Sequence, residues 1–205
     1  MNEVVLFDND GVLVDSLDVT DRAWTQWSEE YGLDPAEVLG GIHGRPAWMS
    51  MEVLLPPEQR AEGLERIVEI ELAGSHDLRP ILGAVELLDS IPADRAAIFT
   101  SATHELGLAR LKAAGIPIPK VLLTAEDVTL GKPEPEGWIT AARLLGASPV
   151  DAVVLEDSRN GILAARAAGV GRVIGVGEAT RDYDVDVVVP DLTACRWDGE
   201  RLVVG

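Results

Sequence analysis

Cysteine, lysine and long apolar runs are the scarce features of this 205-residue chain. The single cysteine, Cys195, excludes an internal disulfide framework and any multi-cysteine zinc site. Only Lys112, Lys120 and Lys132 are lysines; the other 14 of the 17 basic residues are arginine, against 35 acidic residues and a formal charge of −18. A chain of that sign lacks the basic face that nucleic acids and anionic membrane surfaces require. No run approaches the roughly 18 apolar residues of a membrane-spanning helix. Met1-Asn2-Glu3 opens without the positive and apolar stretches of a secretory signal. The expectation is a soluble, cytoplasmic protein with no nucleic-acid or membrane partner, a monomer or at most a weak homodimer. What is abundant is core material: 47% hydrophobic residues beside 25% charged ones, which excludes disorder. The length fits one domain, or one core with a small insertion.

Short continuous apolar runs recur: Val4–Phe7, Ala96–Phe99, Val121–Leu123, Ala152–Leu155, Val173–Val176 and Val187–Val189. Such runs suit strands buried on both faces. Helical patterns lie between most of them. Leu106, Ala109, Arg110 and Ala113 precede Gly115, Trp138 through Leu145 precede Gly146, and Asn160 through Ala168 precede Gly169. Each glycine is a plausible helix stop. Alternation of buried strand and helix reads as an α/β domain with a parallel sheet. Residues 196–203 read as a small Asp-Gly hairpin. Residues 16–78 break the rhythm with helix-spaced apolar positions (Val19, Ala23, Trp24, Trp27, Tyr31; Leu64, Ile67, Val68, Leu72) punctuated by Pro and Gly. They predict a four-helix insertion, with Pro80 opening a helix over 81–91 on the return.

Asp8-Asn9-Asp10-Gly11 ends the first apolar run, and Glu156-Asp157 ends the fourth. In an open α/β sheet ligands bind at the carboxyl ends of strands. Taken singly, the first motif reads equally as a capped loop and the second as helix N-cap material. Together they form an all-oxygen carboxylate cluster, which favours Mg²⁺ over zinc. Lys132 is fixed between Gly131 and Pro133 before a helix, and Thr100-Ser101-Ala102 follows the second strand run. Hydroxyls and free N–H groups at such a terminus can hold phosphate. Singly, these too read as a surface lysine and an N-cap.

All four elements in this order resemble the haloacid dehalogenase-like superfamily, in the branch with a helical cap inserted after the first motif. Phe7–Ser16 resembles its first motif, Ser101 its second, Lys132 its third, and Leu155-Glu156-Asp157-Ser158 with Gly161-Ile162 its fourth. The resemblance runs from Val4 to about Leu192. It implies a Rossmann-like parallel sheet of order 3-2-1-4-5, with a core of residues 1–15 and 79–205 and a cap of residues 16–78. It implies Asp8 as a nucleophile that forms an aspartyl-phosphate, and Asp10 as the acid and base. Mg²⁺ would be held by Asp8, the Asp10 carbonyl and Asp157, with Glu156 as a further or outer ligand. Ser101, the Ala102 N–H and Lys132 would hold the phosphoryl oxygens. Asn9 departs from the apolar residue usual between the two aspartates.

Asp10 favours phosphoryl transfer over dehalogenation. The absence of lysine from residues 16–78 excludes the Schiff-base chemistry of the phosphonate-cleaving relatives. Thr20 stands where the phosphoglucomutase relatives carry a histidine, so a hydrolase is favoured over a mutase. Gly41–Pro46 resembles a specificity loop of sugar- and polyol-phosphate phosphatases, with His43, Gly44 and Arg45 toward the substrate. Trp24, Trp27 and Trp48 read as cap core, and Glu71 and Glu69 as groups within reach of a polyol. The expectation is a Mg²⁺-dependent phosphatase of a small phosphorylated metabolite, most readily a sugar or polyol phosphate. The alternatives are a hexose-phosphate mutase of the beta-phosphoglucomutase type and a non-catalytic phosphate- or metal-binding regulator.

Overall fold

The computed structural model describes residues 3–205; Met1 and Asn2, on which the reading of the N-terminal stretch partly rested, lie outside the described residues. The six apolar runs are strands of one parallel sheet. β1 (Val4–Phe7) is followed by a two-residue strand β2 (Val14–Asp15) and by α1 (Leu17–Glu30), α2 (Pro35–Ile42), α3 (Ala47–Leu54) and α4 (Arg60–Gly74). The chain returns through β3 (Arg79–Pro80) and α5 (Ala84–Ser90). Then come β4 (Ala96–Phe99), α6 (His104–Ala113), β5 (Val121–Leu123), α7 (Glu136–Leu144), β6 (Ala152–Glu156), α8 (Arg159–Ala168), β7 (Arg172–Val176) and β8 (Val187–Val189). A hairpin of β9 (Cys195–Trp197) and β10 (Leu202–Val204) closes the chain.

The sheet order is β5-β4-β1-β6-β7-β8, the expected order extended by β8 at one edge. Alternate residues of β1 face opposite layers. Val5 and Phe7 join a cluster with Leu87, Leu88 and Leu111 of α5 and α6; Val4 and Leu6 join one with Trp138 and Ile162 of α7 and α8. The result is a three-layer α/β core whose central strands are buried on both faces, which is why they read as unbroken apolar runs.

The four helices of residues 17–74 bury a separate cluster of Trp24, Trp27, Ile42, Met51 and Ile67. Trp27 is fully buried and its indole N–H donates to the Gly63 carbonyl at 2.9 Å. The chain leaves toward these helices through β2 and returns through β3, and the two strands pair antiparallel, Val14 with Pro80 and Asp15 with Arg79. This corrects one expectation. Pro80 belongs to that strand pair rather than to a helix start, because the Ile81 N–H donates to the Leu13 carbonyl at 2.9 Å, and α5 begins only at Ala84. Among the described residues no helix is long and apolar enough to cross a membrane.

Candidate active site

Parallel register brings the sequence motifs together. β1 lies between β4 and β6, with Phe7 opposite Ile98 on one side and Leu155 on the other. The residues that follow, Asp8, Thr100-Ser101 and Glu156-Asp157, therefore emerge side by side at the topological switch point. The Asp8 N–H is pinned to the Leu155 carbonyl at 3.0 Å. Gly11 turns the next loop at φ +75°, and a Cβ there would lie 2.1 Å from Asp157 Oδ2. Only glycine lets the two acidic loops approach so closely.

Lys132 is fully buried beneath this cluster. Its Nζ donates to Asp8 Oδ1 and to Glu156 Oε1, each at 2.6 Å. It also stands 5.0 Å from the Phe99 ring centre and 4.7 Å from that of Trp138, where a cation gains from the ring faces. Burial alone would lower the Lys132 pKa; the charges of Asp8 and Glu156 outweigh burial and hold it above the usual lysine value. The second oxygen of Glu156 accepts from the N–H and Oγ of Ser158 at 2.8 and 2.9 Å. Both Glu156 oxygens thus have protein donors. Lys132 and Glu156 form the support under Asp8 and do not line the cavity.

That cavity, of about 220 Å³, opens between the sheet end and α1–α4. Asp8, Asp10 and Asp157 line its floor, with Ser101 and Ala102 at the side and His43, Gly44 and Arg45 opposite. The loop carrying these last three is seated on the core. Ser101 Oγ donates to the Gly44 carbonyl at 3.1 Å and Asn160 Nδ2 to the His43 carbonyl at 2.9 Å. Gly44 has φ +67°, and a Cβ there would lie 2.0 Å from Ser158 Oγ. The Arg45 Nε is buried with no hydrogen-bond partner. His43 Nε2 lies 3.0 Å from Asp21 Oδ1. The Ala102 N–H, expected to face phosphate, donates to Thr100 Oγ1 at 3.0 Å. Trp24 and Trp27 are core residues of the helices as expected, and Trp24 also reaches the cavity. Trp48 differs: it lines the cavity and lies outside the buried helical cluster. Of the two glutamates read as near a polyol, Glu71 is buried at the cavity and Glu69 is exposed, paired to Arg66.

One residue that sequence reasoning passed over is Arg110. Its sequence position marks it only as part of a helix face, yet it is 3% exposed and its Nη1 donates to Asp10 Oδ1 at 2.9 Å. Ser16 Oγ donates to the same oxygen at 2.6 Å. An arginine inside an apolar helix face is the signal that could have found it, because a buried cation demands a partner.

Asp8, Glu156 and Asp157 each offer an oxygen, and these atoms lie within 4.8 Å of one another. Burial foremost, with the neighbouring carboxylates, pushes the Asp8 carboxyl up to about 8 despite the pull of Lys132. The same causes raise Asp157 well above the carboxylate range. Among the described residues no hydrogen bond reaches the Asp157 carboxylate. An all-carboxylate set in which burial opposes ionisation of Asp8 and Asp157, and in which Asp157 has no donor, fits a hard divalent cation and offers no nitrogen or sulfur to a softer one.

The haloacid dehalogenase-like hydrolase family model matches residues 3–169. The chain belongs to that family. It is a hydrolase, and the curated relatives that it resembles include phosphatases. Hexitol phosphatase A of Escherichia coli is 39% identical over 91% of this chain and 90% of that protein. Validoxylamine A 7'-phosphate phosphatase of Streptomyces hygroscopicus subsp. limoneus is 33% identical over 96% and 97%. Among solved structures, a hydrolase from Pseudomonas syringae covers 92% of this chain and 94% of its own at TM-score 0.81 and 24% identity. A beta-phosphoglucomutase from Clostridium difficile covers 93% and 92% at TM-score 0.79 and 22% identity. These last two are likenesses of fold.

Proposed function

We propose that this protein is a Mg²⁺-dependent phosphatase of a small phosphorylated sugar or polyol, working through an aspartyl-phosphate on Asp8. The observation that carries the reading is the floor of the cavity. There a carboxylate braced from below by Lys132 lines the cavity beside a second carboxylate, Asp10. Asp8 attacks phosphorus, the bond from phosphorus to the substrate oxygen breaks, and Asp10 gives that oxygen a proton. Asp10 then takes a proton from water as the water attacks phosphorus, which frees Asp8 and inorganic phosphate. When bound, Mg²⁺ supplies the positive charge that lets carboxylates and a phosphate ester share one site. Asp8, Asp157 and the Asp10 carbonyl are the groups that would hold it, with Glu156 behind them fixing Lys132 and the loop at Ser158. Ser101 and the Ala102 N–H, once released from Gly44 and Thr100, are the donors nearest an incoming phosphoryl group.

The names of the relatives support the substrate class, since hexitol, 2-deoxyglucose-6-phosphate and glycerol-1-phosphate phosphatases share a phosphate ester on a polyhydroxy chain. The cavity volume of about 220 Å³ supports a small substrate, being below the roughly 300–1,000 Å³ of drug-sized sites. The same reading takes residues 16–78 as the cap that encloses the substrate and residues 1–15 and 79–205 as the catalytic core, in the cytoplasm. The test is phosphate release from a panel of hexitol, hexose, glycerol, glycolate and nucleoside monophosphates, with Mg²⁺ and with EDTA. Release from the polyol and sugar esters, abolished by EDTA, is the expected result. Preference for the nucleotides, or undiminished release in EDTA, would contradict it.

A further inference from the structure

Arg110 is the only arginine among the buried residues described, and its guanidinium ties three parts of the chain together. From α6 its Nη1 reaches Asp10 Oδ1 at 2.9 Å. Its Nη2 reaches Thr20 Oγ1 of α1 at 3.0 Å and Glu71 Oε1 of α4 at 2.9 Å. Its Nε is buried without a partner.

The contacts of Asp10 are asymmetric. Oδ1 accepts the two short bonds, from Arg110 and from Ser16 Oγ at 2.6 Å. Oδ2 has only Asn9 Nδ2 and Thr100 Oγ1, each at 3.4 Å. One oxygen is therefore clamped and the other left loosely held at the cavity. The clamp depends on the helices above, because both partners of Nη2 belong to α1 and α4. Glu71 is itself buried, and burial raises its pKa while Arg110 pulls it back.

We infer that Arg110 is a positioning residue. It fixes Oδ1 of Asp10 so that Oδ2 exchanges the proton with the substrate oxygen and with water. Through Glu71 and Thr20 it makes that orientation conditional on α1 and α4 being seated over the sheet. The inference rests on the reading of Asp10 as acid and base.

Leaving-group dependence tests it. A sugar alkoxide needs a proton as it departs, whereas p-nitrophenolate does not. Arg110→Met should lower kcat/KM for a hexitol phosphate on the order of 100-fold but for p-nitrophenyl phosphate by less than about fivefold, the difference being a general-acid contribution. Arg110→Lys should recover part of that loss. Glu71→Gln, which keeps an oxygen for Nη2 without the charge, should show the same selective loss at about 10-fold. If Arg110→Met does not fold, Arg110→Met with Glu71→Met removes both buried charges, and the same ratio is read on the double variant. Equal losses on the two substrates, or none, while Asp10→Asn shows the split would overturn the role of Arg110 alone. Absence of the split in Asp10→Asn itself would overturn the acid and base reading, and this inference with it.

Discussion

Lys132 lies beneath the cavity and Arg45 lines it; both are cations, and their surroundings are opposite. Lys132 is fully buried, held by two carboxylates at 2.6 Å and two aromatic faces. Arg45, on the helical side, is partly exposed and its Nε has no partner. The same contrast runs through the two walls. On the sheet side Asp8, Asp10 and Glu156 are each fixed by short bonds from other side chains. On the helical side Thr20 and Glu71 are tied to Arg110, but Trp48 of α3 and Arg45 line the cavity without such ties, Arg45 on a loop that meets the core through backbone carbonyls at His43 and Gly44. A buried network that leaves few groups unpaired holds one geometry, which suits a reaction common to a family. Loosely held side chains such as Arg45 and Trp48 can be altered without disturbing that network, which suits selection among substrates.

The largest effect that would break this contrast is at Lys132. Lys132→Met should reduce turnover on the order of 10³-fold. It should also cost about 3–5 kcal/mol of stability, because Asp8 and Glu156 lose their shared cation. Phosphate release and urea unfolding measure the two, and a stable, active variant would show that the floor does not need its buried charge. Arg45→Ala should act differently. KM should rise about 10- to 100-fold with kcat nearly unchanged, as expected when a contact made equally in ground and transition states is lost. If kcat fell as far as in Lys132→Met, the division between the walls would fail.

The third effect is thermal. Without metal, the folded Asp8 carboxyl titrates near 8 against 3.8 for the ordinary group, so between those values the folded state holds the extra proton. That contribution to stability is fully present below about pH 4 and is lost as pH rises through 8. Mg²⁺ needs the ionised carboxylates, so the rise in melting temperature on replacing EDTA by Mg²⁺ should be larger at pH 8.5 than at pH 5. A shift of equal size at both pH values would place Mg²⁺ away from Asp8. The smallest effect is at Trp48. Trp48→Ala should change KM a few-fold and reorder polyol phosphates of different chain length, with kcat/KM across the series as the measure.

The legible parts of the fold and site were those written locally. Central strands announce themselves as apolar runs because both faces are covered, and Asp8, Thr100-Ser101 and Glu156-Asp157 stand directly after such runs. What was not legible depends on distance along the chain. Arg110 lies 100 residues from Asp10, 90 from Thr20 and 39 from Glu71, so no local pattern records their meeting. The aromatic walls of Lys132 come from Phe99 and Trp138, which the sequence shows only as core-forming residues of a strand and a helix. Residue type alone groups Trp48 with Trp24 and Trp27, although α3 presents it to the cavity rather than to the helical cluster. Pro80 fits both a helix start and an edge strand, and its pairing with Val14, far back in the chain, decides between them.

The covalent step on Asp8 is open to direct observation. Rapid acid quench during turnover of a hexitol phosphate, followed by borohydride reduction, converts an aspartyl-phosphate to homoserine, which peptide mapping locates. The expected result is homoserine at position 8 in the wild-type protein, with neither the mark nor phosphate release in Asp8→Asn. Steady turnover with no mark at position 8, or an Asp8→Asn variant that releases phosphate at the wild-type rate, would contradict the account.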